Sequence, residues 1–154
     1  MARLPKKTAY VACNGGCRSI NCGYGCIACS ACINACRKEA VSYNEYGAAE
    51  IDVLKCVGCG LCVKACPQKL IQLHDRENFF IVKCSNREKG MQAKMECRIS
   101  CIACGLCEKN CPSQAVRVLD NIVVLNDYYC LACGNCVISC PRGVIIDTRG
   151  IIRR

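Results

Sequence analysis

Apolar residues come in short runs along this chain, broken every few positions by cysteine, glycine, proline or charge. Ala40-Val41-Ser42-Tyr43, Leu70-Ile71-Gln72-Leu73, Ala115-Val116-Arg117-Val118, Ile122-Val123-Val124-Leu125 and Gly143-Val144-Ile145-Ile146 have the length and content of small strands. Phe79-Phe80-Ile81-Val82 is another, and it leads to Cys84. Stretches such as Leu61-Cys62-Val63-Lys64-Ala65-Cys66 predict one or two helical turns, which Pro67, Pro112 and Pro141 stop. Residues 86–96 are polar and predict a short exposed helix. No run approaches the ~18 apolar residues of a membrane-spanning helix. The basic start, Met1 to Lys7, has no apolar segment behind it of the kind a signal peptide carries. The pattern predicts an α+β protein of the cytoplasm, without membrane insertion.

The chain also repeats. Cys26, Cys29, Cys32 and Cys36 recur 75 positions later as Cys101, Cys104, Cys107 and Cys111. Cys56, Cys59, Cys62 and Cys66 recur 74 positions later as Cys130, Cys133, Cys136 and Cys140, and Cys22 has its counterpart in Cys97. The organisation read from this is an N-terminal extension (1–21), a first module (22–76), a linker containing Cys84 (77–96), a second module (97–148) and a basic tail (149–154).

Composition changes the picture of the core. Cysteine supplies 21 of 154 residues, above the ~8–10% at which its usage becomes a class signal. Hydrophobic residues make up 53%, or about 40% once cysteine is set aside, and Trp is absent. An aliphatic core is thin at this size, so something held by cysteine must fill the middle. Disulfides would require an oxidising compartment and, as a rule, an even count, and neither fits. A single histidine and short apolar runs argue against a hydrolase or a Rossmann dehydrogenase.

Each of the four groups reads C-x2-C-x2-C-x3-C, and proline follows three of them. The run resembles that of bacterial ferredoxins, where it holds [4Fe-4S] clusters. Three cysteines in a tight loop wrap one cubane. The fourth, a helical turn further on, points toward a second, so paired motifs exchange their last ligand. The expected sets are Cys26, Cys29, Cys32 and Cys66 for a first cluster and Cys56, Cys59, Cys62 and Cys36 for a second. A third takes Cys101, Cys104, Cys107 and Cys140, and a fourth takes Cys130, Cys133, Cys136 and Cys111. Gly60, Gly105 and Gly134 follow the second cysteine, where backbone must approach a cluster closely, and Ser30 takes that place in the first motif. Zinc also takes C-x2-C pairs but needs neither a third cysteine two residues on nor a Cys-Pro.

The formal charge of +9 by itself points to an anionic partner. A [4Fe-4S] core on four thiolates carries about −2, so four such sites bring the chain near +1 and five near −1. The basic excess is then internal counter-charge, and without a basic-aromatic motif nucleic acid is not an expected partner.

Five cysteines remain: Cys13, Cys17, Cys22, Cys84 and Cys97. Three readings stay open for them: a fifth cluster, replacement of a motif cysteine as ligand, or free thiols packed near the clusters. In the five-cluster reading Cys13, Cys17 and Cys22 are joined by Cys84, with Cys97 as the alternative donor. His74 is expected at the surface rather than as a ligand, and Arg149 to Arg154 as a solvated end. Arg37 stands where proline follows the other motifs and is read as tolerated there. The six tyrosines are expected to pack beside clusters.

Several less common pieces occur in order: Val11-Ala12-Cys13-Asn14-Gly15-Gly16-Cys17, Cys22-Gly23-Tyr24-Gly25-Cys26, Val82-Lys83-Cys84-Ser85-Asn86-Arg87-Glu88-Lys89-Gly90 and Cys97-Arg98-Ile99-Ser100-Cys101. Over about residues 10–148 the chain is similar to the cytoplasmic polyferredoxin part of the RnfB subunit of Rnf electron-transport complexes. That resemblance implies tandem ferredoxin-like domains passing low-potential electrons between ferredoxin and a flavin or membrane partner. The family commonly has C-x3-C-x5-C-x3-C in its first motif, matched here by Cys22, Cys26, Cys32 and Cys36, so Cys22 and Cys29 compete as ligand of the first cluster.

Two tandem bacterial 2[4Fe-4S] ferredoxin-like modules are thus expected, with four clusters and room for a fifth. The function expected is relay of single electrons between a redox partner and a flavin or metal centre. No catalytic residue is expected, and the chain is not expected to be an enzyme by itself. Its partners would be a flavoprotein, dehydrogenase or hydrogenase subunit of an oxidoreductase complex, or ferredoxin. A free ferredoxin-type carrier is the alternative, as is a sensing or scaffold module whose clusters only hold a binding surface.

Overall fold

Alternation in Lys7-Thr8-Ala9-Tyr10-Val11 puts Ala9 and Val11 on a buried face and makes strand β1 (Lys7–Val11). The computed structural model describes residues 4–15 and 22–154. After β1 come helix α1 (Ala31–Ala35), strands β2 (Val41–Tyr43) and β3 (Ala49–Ile51), helix α2 (Leu61–Ala65) and strand β4 (Ile71–Asp75). The outer strands pair: β1 runs antiparallel to β4, with Val11 opposite Ile71 and Lys7 opposite Asp75. The inner strands β2 and β3 form a second antiparallel pair.

The second half repeats this plan with β5 (Phe80–Val82), α3 (Gly90–Glu96), α4 (Leu106–Lys109), β6 (Val116–Leu119), β7 (Ile122–Leu125), α5 (Asn135–Ser139) and β8 (Ile145–Asp147). Strand β5 pairs with β8, Val82 opposite Ile145, and β6 pairs with β7. Each half is closed by pairing its first strand with its last. Those first strands, β1 and β5, lie in the segments read from sequence as extension and linker. Strand β3 is not among those expected from sequence; it has three residues, too few for a periodicity to register. Helix α3 falls in the polar stretch where a short helix was expected, and it buries Ala93.

Both cores are small. The first gathers Ala9, Val11, Leu70 and Ile71 with Cys13, Cys32, Cys56 and Cys62. The second gathers Phe80, Val116, Val144 and Ile145 with Cys101, Cys107, Cys136 and Cys140. Each buried Val or Ile is worth ~1.5–3 kcal/mol, and there are few of them, so bound clusters would add stability the apolar side chains do not supply. The halves touch through Ser85, whose hydroxyl donates to the Tyr24 carbonyl at 2.7 Å, and through Lys83 and Glu50 at 3.8 Å.

Some side chains stand differently from the sequence expectation. His74 is half-buried, edge-on to Tyr10 at 5.1 Å, and burial pushes its pKa down. Tyr46, Tyr128 and Tyr129 are exposed, whereas Tyr43 does sit against the first motif, donating to the Ala28 carbonyl at 2.9 Å. The basic tail is largely exposed, as expected, but it is also tied down. Arg149 pairs with the buried Asp147 at 2.9 Å and stacks 4.1 Å over Phe79, and Arg154 donates to the Cys140 carbonyl at 2.9 Å.

Asp147 also accepts the Ile152 N–H at 3.0 Å, and the Arg149 hydrogen bond leads the causes that hold its carboxyl down to about 2. A folded-state pKa below the ordinary ~3.9 means a stabilising contribution complete above that value and lost as pH falls through about 2. Asp147→Asn removes charge-assisted bonds and should cost about 1–3 kcal/mol at neutral pH. Amide hydrogen exchange in Phe80–Val82 should speed up; unchanged exchange there would remove Asp147 from the closure of the second half.

Candidate metal centres

The four short helices α1, α2, α4 and α5 begin just after the second cysteine of each motif and bury the third: Cys32, Cys62, Cys107 and Cys136. Cys36, Cys66 and Cys140 cap the ends of α1, α2 and α5 in extended conformation. Helix α1 packs on α2, and α4 on α5. That packing lets the cysteine closing one helix reach the loop of the other.

Cys26, Cys29, Cys32 and Cys66 line one void, walled by Val11, Tyr43 and Ile71. Cys101, Cys104, Cys107 and Cys140 line another, walled by Val118, Val123 and Val144. In the second motif, Cys62 is pushed up to about 11 by burial and then by the neighbouring Cys56, Cys36 and Cys59 thiols. In the fourth, Cys136 is pushed up to about 11 by burial and then by Cys130, Cys111 and Cys133. Each group of three thus has beside it the last cysteine of the other motif in its half. Cys29, not Cys22, lies in the first void; Cys22 lines a different one, as does Cys97. Cys17 falls outside the described residues.

The loops fit a polynuclear anionic group. The residue after the second cysteine is left-handed in every motif: Ser30 at φ 62°, Gly60 at 76°, Gly105 at 74° and Gly134 at 78°. The residue before it is left-handed too, at Ala28, Gly58, Ala103 and Ala132, with φ between 51° and 68°. Three alanines in that conformation were not foreseen from sequence, because alanine carries no turn signal. Left-handed residues in such loops make concavities lined by N–H groups that suit anions. Backbone N–H groups do point at sulfur: Ala40 to Cys36 at 3.3 Å, Leu70 to Cys66 at 3.5 Å and Ala103 to Cys101 at 3.4 Å. The Thr8 hydroxyl is buried beside the Cys56 thiol and has no other partner. Burial pushes Cys56 up, but Thr8, the N–H groups of Gly58 and Ala9, and Arg76 outweigh it and leave the thiol below its ordinary value. Among the described residues no three metal-ligating side chains close on one ion position.

Arg76 was also missed. It donates to the carbonyls of Pro5, Val53 and Cys56 at 3.1, 2.8 and 3.0 Å, tying the chain start to the second motif loop. A lone arginine after a strand carries no sequence signal for such a role.

Fold and cysteine geometry define a tandem ferredoxin-type protein. Residues 25–70 and 100–144 match a model described as 4Fe-4S dicluster domain, and residues 55–116 match a second model of the same description. The chain belongs to that family: it carries two dicluster ferredoxin-type electron-carrier domains in tandem, which imply about four [4Fe-4S] clusters. It is also similar to a chain in the formate dehydrogenase–heterodisulfide reductase–formylmethanofuran dehydrogenase complex from Methanospirillum hungatei. There the identity is 23%, covering 79% of this chain and 51% of that one, with a TM-score of 0.29. This chain therefore spans about half the length of that one. No curated protein matches it. Among the described residues no helix is long and apolar enough to cross a membrane.

The left-handed positions give a graded test. A Cβ at Gly105 meets nothing within 4 Å, so Gly105→Ala carries only the conformational strain of roughly 1–2 kcal/mol. A Cβ at Gly134 would collide with the Ile152 side chain as well. Loss of iron to a chelator under anoxia should be faster in Gly134→Ala than in Gly105→Ala. Equal rates would show that the tail does not press on the fourth motif.

Proposed function

We propose that this chain is the electron-relay subunit of a larger oxidoreductase complex, an RnfB-like polyferredoxin working in the cytoplasm. The ligand sets are Cys26, Cys29, Cys32 and Cys66; Cys56, Cys59, Cys62 and Cys36; Cys101, Cys104, Cys107 and Cys140; and Cys130, Cys133, Cys136 and Cys111. The observation that carries this is the void that Cys66 shares with Cys26, Cys29 and Cys32, repeated by Cys140 with Cys101, Cys104 and Cys107. A [4Fe-4S] cluster supplies reversible one-electron chemistry, at potentials spanning roughly −700 to +450 mV and set by hydrogen bonds to sulfur and by exposure. The chain's own contribution is to hold the thiols, aim N–H groups at them and wall out water with small aliphatic side chains.

The surface supports partners at both halves. Val53, Leu54 and Val57 beside the second motif are exposed, Leu54 at 81%, and so are Tyr128, Tyr129 and Leu131 beside the fourth, Tyr128 at 88%. Apolar side chains flanking the exposed Cys59 and Cys133 suit docking of redox proteins over those two motifs. The partner classes are a flavoprotein, dehydrogenase or hydrogenase subunit, or ferredoxin; hydride chemistry would belong to the partner's flavin.

Purified under strict anoxia, the protein should be brown, bleach with dithionite and bring such a subunit with it. A colourless, zinc-loaded chain would sink the relay reading, and a chain found alone yet fully reducible by ferredoxin would favour a free carrier. Cys66→Ala should damage the cluster of the first motif and spare that of Cys56, Cys59 and Cys62, as resolved by EPR of the separate signals. The opposite pattern would make ligation local to each motif and the exchange of last ligands wrong.

A further inference from the structure

Among the described residues, four cysteines outside the motifs come together between the halves. Cys13, Cys22, Cys84 and Cys97 line one void, as the motif cysteines line theirs. Cys13 and Cys22 come from the first half, Cys84 and Cys97 from the second.

The two contributions are built alike. Cys13 stands two residues beyond the end of β1 and Cys84 two beyond the end of β5. The residue before each is pinned to the closing side of its own half: Ala12 N–H to the Leu70 carbonyl at 2.8 Å, Lys83 N–H to the Val144 carbonyl at 2.8 Å. Each sulfur accepts the backbone N–H of the cysteine that opens the next motif, Cys26 to Cys13 at 3.5 Å and Cys101 to Cys84 at 3.2 Å. Each also faces the N–H two residues on, Gly15 at 3.4 Å from Cys13, and Asn86 beside Cys84. Cys22 and Cys97 each stand four residues before a motif. Such N–H donation to sulfur is what the motif cysteines also receive, and it suits thiolates bound to iron. Ser100, wholly buried, donates to the Ala93 carbonyl at 2.6 Å and to the Cys97 carbonyl at 3.0 Å, fixing the turn that presents Cys97.

We propose that Cys13, Cys22, Cys84 and Cys97 hold a fifth [4Fe-4S] cluster at the seam between the two ferredoxin-like halves. The assignment rests on the relay reading above and replaces Cys17, in the set read from sequence, with Cys97. Its consequence is continuity. Cys26 and Cys101, proposed ligands in the first and third sites, each donate an N–H to a seam thiol, so two separate pairs of clusters become one path. Single electrons would cross the seam in either direction, with no bond made and no proton transferred.

Native mass spectrometry of the full chain, isolated and reconstituted under anoxia, with iron and sulfide analysis, tests this without any variant. Five cubanes require ~20 Fe per chain and four require ~16. The result expected is ~20, falling by about four in the double variant Cys22→Ser with Cys97→Ser while the remaining cluster signals persist, and staying at ~20 in Cys17→Ser. A wild-type chain saturating at ~16 Fe overturns the seam cluster and leaves the relay reading standing, as does a single zinc bound at these thiols. Retention of all the iron by the double variant also overturns it, as does loss of about four Fe in Cys17→Ser. A chain that takes up no cubane at all fails the relay reading itself.

Discussion

Thiols from distant points of the chain have to converge on voids that its apolar side chains are too few and too small to fill. Everything else in the structure serves that convergence. The first half has Ala, Val, Leu and Ile around its cysteines, and the second adds one fully enclosed aromatic, Phe80. Bound centres would supply contacts that a core this thin lacks. Metal binding and folding are therefore one equilibrium here more than two. The strand pairs β1–β4 and β5–β8 tie the start of each half to its end, which holds the last cysteine of one motif beside the loop of the other.

Electrostatics follows from the same convergence. Bringing thiols together in poor solvent raises their pKa values, as at Cys62, Cys107 and Cys136, each pushed up to about 11. The protons must leave when iron binds, and the protein answers chiefly with N–H groups directed at sulfur, helped at Cys56 by the charge of Arg76. The arginines also bind the main chain. Arg76, Arg142 and Arg154 donate to main-chain carbonyls near Cys56, Ser100 and Cys140. Each positive charge thus sits close to a site whose loaded form is anionic. These three charges are part of the basic excess read from composition.

The cysteine pattern was legible because ligand spacing is a local property. The tight loop, the helical turn and the proline stop each span a few residues, so sixteen cysteines could be grouped into four motifs from sequence alone. What was not legible is long-range. The pairing of β1 with β4 joins residues over sixty positions apart, and nothing within Lys7–Val11 announces its partner. The alanines in left-handed conformation are equally silent, since the loop imposes φ on them against their preference. The tail shows the same limit: its arginines are exposed, as they look in sequence, but nothing local announces that Arg149 pairs with the buried carboxylate of Asp147 and stacks on Phe79.

Duplication alone does not make a wire. Two copies of a dicluster domain joined by a flexible segment would hold clusters in pairs, with the distance between pairs left to chance. Here the segment after β5 is not free: Asn86 is buried and donates to Glu96 at 3.3 Å, α3 buries Ala93, and Ser85 reaches across to Tyr24. These contacts bring the leading segment of one half against that of the other, and the cysteines there occupy matching positions in both. A repeat that had diverged freely would have no reason to keep Cys13 matched with Cys84, or Cys22 with Cys97, in register with their motifs. The seam is where the two copies meet through equivalent residues, so the ligand set proposed there would be completed only by both, and joining the halves and connecting their electron paths would be the same structural task.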